Sequence, residues 1–168
     1  MIPSLLQLVA YLEKSALAEN IRENDVLFPT IESVHVLSIC LVVGSILIVD
    51  LRLVGLASVR RAASSVLSTI LPLTWSAFAI AITSGSLMFI SNATKYLSND
   101  FFVCKMILIG VAGVNMAIFH LVSVRNLHLW DHSLNPPLQA RLAGAFSILL
   151  WISVVACGRW IGFTMGVN

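Results

Sequence analysis

Four stretches of this chain contain no Asp, Glu, Lys or Arg: residues 33–49, 62–94, 106–124 and 142–158. With their flanks, each reaches about 20 helical residues, the length needed to cross a hydrocarbon core about 30 Å thick. The runs are continuously apolar instead of alternating, which argues against barrel strands. A segment in lipid satisfies its own backbone best as a helix. Composition agrees: 58% of the 168 residues are hydrophobic and 11% are charged, against about 25% charged in a soluble domain. Mean hydropathy is +0.95. The reading is one all-α integral membrane domain over residues 1–168. Its expected form is an up-down-up-down four-helix transmembrane bundle, because short loops make successive helices antiparallel neighbours. The spans fall at about 31–56, 67–91, 101–125 and 140–164.

Ahead of the first span, Leu5, Leu8, Val9, Leu12 and Ala16 recur at helical spacing, and Pro3 suits a first turn. This predicts an interfacial helix over about 3–19, or a helix packed over the bundle's end. A signal peptide is not expected, since no basic region precedes the run and Glu13 and Lys14 interrupt it. Pro136 and Pro137 are expected to start the fourth helix, with Asn135 as its N-cap. Arg52, Arg60, Arg61, Arg125 and Arg141 gather on one side, and Lys14, Arg22, Lys95, Lys105 and Arg159 on the other. The tight arginine set places its side in the cytoplasm. Both termini then face the periplasm of a bacterial inner membrane. Gly44, Ser45, residues 84–86, Gly110, Gly113, Gly144, Gly158 and Gly162 are small residues at which helices can approach closely. A net charge of +2 without a basic block gives no reason to expect nucleic acid. The expected partners are the bilayer and either further copies of the chain or a larger membrane complex.

Ionisable groups inside spans are costly and so carry information. Helix direction gathers Glu32, His35, Lys105 and Arg159 at one depth near the outer face, with Cys104, Cys157, Met88 and Met165. Asp50, Arg52, Asn115 and His120 gather towards the inner face. His35 and Asp50 are about 22 Å apart along their helix, so no single compact site holds both sets.

Several functions fit these positions. A haem b held by two histidines of one chain is disfavoured, because His35 and His120 lie at opposite ends of parallel helices; a His/Met site or a site shared across a dimer stays open. Glu32 and His35 form one E-x-x-H pair, whereas di-iron bundles need two. Copper(I) suits imidazole with soft sulfur, which makes His35, Cys104 and Cys157 the metal candidates, with Met88 and Met165 beside them. An anionic or quinone headgroup suits Lys105 and Arg159, with Glu32 or His35 moving a proton. The competing account is structural: Glu32 pairs with Lys105 or Arg159, His35 completes the hydrogen bonds, and the network only locks the helices. In the 128–132 stretch, His128 and His132 flank Asp131 at metal-chelating spacing. The plainer reading is a solvated loop with an interfacial tryptophan, Trp130. No Ser-His-Asp arrangement, phosphate-binding loop or dinucleotide-binding glycine pattern is present, so an enzyme is not favoured.

The stretches 28–56, 101–105 with Asn115 downstream, and 149–163, with the N-terminal 11–24 segment, resemble a bacterial four-helix inner-membrane family of unknown function. Glu32, His35, Asp50, Arg52, Lys105, Asn115 and Arg159 match its recurrent polar positions. More distantly, the layout is similar to the copper-resistance D membrane proteins. The resemblance brings no activity with it; on the outer polar residues, the expectation is an accessory membrane module of a periplasm-facing redox or metal-handling system. A purely structural subunit is the alternative. A haem- or quinone-binding subunit is third.

Overall fold

The computed structural model describes residues 2–58, 60–122, 127, 130–133 and 135–165, without the side chains of residues 2–6 and 8. It is all α-helical among the described residues. The helices are α1 (Ile2–Glu13), α2 (Ala16–Glu23), α3 (Leu27–Val54), α4 (Ala63–Ser91), α5 (Ala93–Leu97), α6 (Asp100–Val122) and α7 (Leu138–Met165). α3, α4, α6 and α7 are each long and apolar enough to cross a membrane. Position 125 and His128 lie outside the described residues.

Side chains from neighbouring segments set the helix ends. α3 begins a turn earlier than expected because Asn24 Oδ1 accepts from the backbone N–H groups of Val26 and Leu27, both at 3.0 Å. It stops at Gly55, whose φ of 88° closes a Schellman turn: Gly55 N–H donates to Arg52 O, and Leu56 N–H to Leu51 O. α4 also begins early. Its own N-cap, Ala62, has no side chain to offer. Asp131 supplies the cap from the α6–α7 connection, accepting from Ser64 N–H (2.7 Å) and Ser64 Oγ–H (2.8 Å). α6 starts behind Asn99, whose Oδ1 accepts from Phe101 and Phe102. The residue before α7 is Pro137, whose carbonyl accepts from Arg141 N–H. Asn135 is therefore not the N-cap.

The expected single N-terminal helix is corrected to two. Ser15 Oγ donates to Leu12 O and accepts from Ala18 N–H, ending α1 and capping α2. The pair packs over one end of the long helices, α1 on α4 and α5, and α2 on α4 and α3. Glu13 accepts from Thr94 N–H and Oγ1–H, and Arg22 Nη1 donates to Ser91 O at 3.1 Å.

α3 packs along α4 and α7, and α6 packs along α7, whereas α4 and α6 make no extended contact. His35 meets Ser84, and ten residues on, Ser45 meets Thr74, so α3 and α4 run in opposite directions. Asn99 with Thr164 and Asn115 with Ala143 show the same for α6 and α7. Small residues allow the closest approaches. A Cβ on Gly144 would stand 3.0 Å from Asp50 O and 3.0 Å from Leu53 Cβ, so glycine there lets α7 lie against the α3 backbone. Large apolar side chains such as Ile107, Val114, Leu121, Leu142 and Leu149 point outward, as lipid contact requires.

Candidate functional site

The bundle holds two polar regions. At the end under α1 and α2, His35 leans on α4. An added Cβ on Gly85 would stand 2.8 Å from His35 Cε1, so only glycine leaves room for the ring. His35 Nδ1 lies 3.0 Å from Ser84 Oγ. Ser84 donates its single hydroxyl hydrogen to Ile80 O at 2.7 Å. It therefore accepts from His35 Nδ1–H, which leaves Nε2 as the ring nitrogen not used in this bond. Lys105 reaches across α7 at Gly158, where an added Cβ would be 3.6 Å from Nζ. It stands within electrostatic reach of His35 and Cys157.

The four-residue outer cluster does not assemble as one unit. His35 and Lys105 lie within electrostatic reach of one another. Glu32 is exposed and acts instead on Tyr96, which packs among Phe89 and Phe102. Burial, and then the Glu32 charge, push the Tyr96 phenol above its ordinary value. Arg159 is exposed, its guanidinium 4.5 Å above the Phe163 ring. Among the described residues, Glu32 forms no ion pair with Lys105 or Arg159, and Lys105 has neither a hydrogen bond nor a carboxylate partner.

Cys157 Sγ and Cys104 Sγ are 3.9 Å apart, joining α7 to α6. His35 does not complete a ligand set with them: among the described residues, no three His, Cys, Asp or Glu side chains converge to hold a metal ion. The imidazole is committed to Ser84 on α4, while the two thiols meet between α6 and α7.

The inner group also divides. Residues 50 and 52 are two positions apart, about 200° around the helix. Arg52 is fully buried and faces the loops, donating from Nε to Arg61 O (3.1 Å) and from Nη2 to Asp131 O (3.1 Å) and Ser133 O (3.3 Å). Asp50, 5% exposed, faces the bundle interior. Ser147 of α7 is its hydrogen-bond partner, and Oδ2 has none. Asn115 donates to Ala143 O at 3.1 Å, tying α6 to α7. His120 is exposed, with Nδ1 3.0 Å from Met116 O. Asp50, Asn115 and His120 border a cavity of about 250 Å³ between α4 and α6.

The expectation of a solvated loop around Trp130 is corrected. Its ring is 8% exposed and packs with Val49, Leu53, Leu67 and Phe119. Asp131 is the cap of α4, and hydrogen bonds from Ser64, backbone and then hydroxyl, hold its carboxyl below the ordinary value. Sequence reading missed Ser84, Gly85 and Ser147 as partners of His35 and Asp50, because a serine or glycine in an apolar run signals packing alone.

Fold and site together define a multi-pass, all-α membrane protein whose interior ionisable groups, among the described residues, form no ion pairs with one another. Residues 11–164 match the family described as "Family of unknown function (DUF6644)", and the chain belongs to that family. No curated protein and no solved structure matches it.

Proposed function

We propose that this chain is a non-catalytic module of a periplasm-facing redox system in the bacterial inner membrane. In this reading His35 and Lys105 hold the electronegative headgroup of a lipid-soluble ligand of the quinone class. One observation carries it: the Lys105 ammonium lies within electrostatic reach of His35 and has no carboxylate or hydrogen-bond partner among the described residues. A lone cation costs up to about 2.5–3.5 kcal/mol at the centre of a span and less towards an end, a cost that a carbonyl or anionic oxygen beside Lys105 would offset. Lys105 supplies the donor, and His35 Nε2 the group that takes or returns a proton. The structural alternative needs Glu32 as the counter-charge, and Glu32 is exposed beside Tyr96.

The rest of the reading follows from charge placement. The long helices cross in up-down-up-down order, with Arg60 and Arg61 on the cytoplasmic side and both termini in the periplasm. The lipid bilayer surrounds the bundle, and a larger membrane complex is its working context.

The test is titration of the protein, purified in mild detergent, with decylubiquinone. The expected result is saturable binding of one quinone per chain, weakened at least tenfold by Lys105→Gln and by His35→Ala. Unsaturable partitioning, equal in all three proteins, rejects the reading. An absorption spectrum and elemental analysis of the same sample decide the other cofactors. A Soret band establishes haem b, and stoichiometric copper lost in His35→Ala establishes the metal.

A further inference from the structure

We propose that the cleft between α4 and α6 is a binding site for a small hydrophobic amine that enters from the bilayer, with the Asp50 carboxylate as its counter-charge. The site is separate from the His35–Lys105 pair, about 22 Å away along α3. Its shape comes from the helix arrangement. α3 packs on α4 and α7, and among the long helices α6 packs chiefly on α7, so α4 and α6 stand apart with a cavity of about 250 Å³ between them. That volume is just below the range of about 300–1,000 Å³ usual for small-molecule sites. Trp75 and Met116 border the cavity, yet they are 52% and 38% exposed. The opening is therefore lateral, through the side of the bundle that faces lipid.

The lining chooses the chemistry. Most of it is apolar, and Trp75, Phe78 and Trp151 present aromatic rings. Two polar atoms in it have no partner among the described residues. Asp50 Oδ2 is buried and accepts nothing. Asn115 directs its amide N–H to Ala143 O, leaving Oδ1. Both atoms are acceptors, so the complementary ligand is a donor. Among the described residues no cation serves Asp50: Arg52 faces the loop carbonyls, and His120 at the rim is turned to Met116 O. A buried carboxylate without a counter-charge is costly. A protonated amine supplies charge and donors at once, and the aromatic rings favour a cation over a neutral group.

The experiment titrates the detergent-purified protein with 1-naphthylmethylamine and with its neutral analogue 1-naphthylmethanol, read by calorimetry and tryptophan fluorescence. The amine is expected to bind saturably, at least tenfold tighter than the alcohol. Asp50→Asn should weaken the amine at least tenfold. Gly113→Phe should abolish binding, because a side chain at that position grows into open space at the cavity wall. Lys105→Gln should leave amine binding unchanged. Equal affinity for amine and alcohol overturns the proposal, as does indifference to Asp50→Asn. Absence of saturable binding also overturns it, and means that the cleft takes only lipid acyl chains. If Asp50→Asn does not fold, the amine–alcohol ratio and Gly113→Phe decide.

Discussion

Arg52→Ala should be the most damaging single substitution on the loop side of the bundle. The guanidinium is fully buried and donates to three carbonyls, those of Arg61, Asp131 and Ser133. These lie in the two connections that close this end, and Asp131 in turn caps α4. Bonds from a charged donor contribute about 1.5–3 kcal/mol each, a gross of roughly 5–9 kcal/mol. Keeping the cation from water, with Nη1 unpartnered, cancels several kcal/mol of that. The expected net loss is about 2–4 kcal/mol, or on the order of 5–15 °C in melting temperature. Arg52→Lys keeps the charge but not the planar fork, and should lose about half as much. The assay is the fraction of protein remaining monodisperse in size-exclusion chromatography after stepwise heating. If Arg52→Ala melts within about 2 °C of the parent, the three bonds do not hold the loops and the reasoning fails.

Other substitutions test the remaining contacts. Gly85→Ala drives a methyl into the His35 ring and should cost about 1–3 kcal/mol, whereas Gly158→Ala, with 3.6 Å to Lys105 Nζ, should be near neutral; the same heating assay compares them. The depressed Asp131 carboxyl contributes stability that is present above the ordinary carboxylate range and is lost as pH falls through its lower folded value. Melting temperature should therefore drop below about pH 4, and Asp131→Asn should remove most of that dependence. With their sulfurs 3.9 Å apart, Cys104 and Cys157 should be joined within one chain by copper–phenanthroline. The readout is loss of two maleimide-reactive thiols without dimer formation, and retention of both thiols refutes the α6–α7 register.

The spanning helices were legible because an apolar run free of charge has one stable form in lipid. The ends were less so. α4 begins at Ala63 because of an aspartate 68 positions later, and no local pattern in residues 59–65 encodes that contact. Packing glycines were legible as a class and not individually. Gly144 and Gly158 meet a neighbouring helix, while Gly44, Gly110, Gly113 and Gly162 meet nothing within 4 Å. Depth along a helix was readable from residue count, which is why His35 and Lys105 were expected together. Rotation about the axis was not. It separates Asp50 from Arg52, turns Arg159 outward over Phe163, and leaves Glu32 exposed. The apolar runs surround every residue with similar neighbours, so the hydrophobic pattern marks no preferred face, and tertiary contact alone fixes it.

The central claim is that His35 and Lys105 hold a ligand and do not merely lock the bundle. Organic extraction of the protein purified from bacterial membranes, with the released quinone counted by mass spectrometry, tests it most directly. The account predicts about one quinone per chain in the parent and near-complete loss in Lys105→Gln, whose melting temperature should be little changed. A parent free of quinone, with Lys105→Gln sharply destabilised, would contradict it and make the pair a structural clasp.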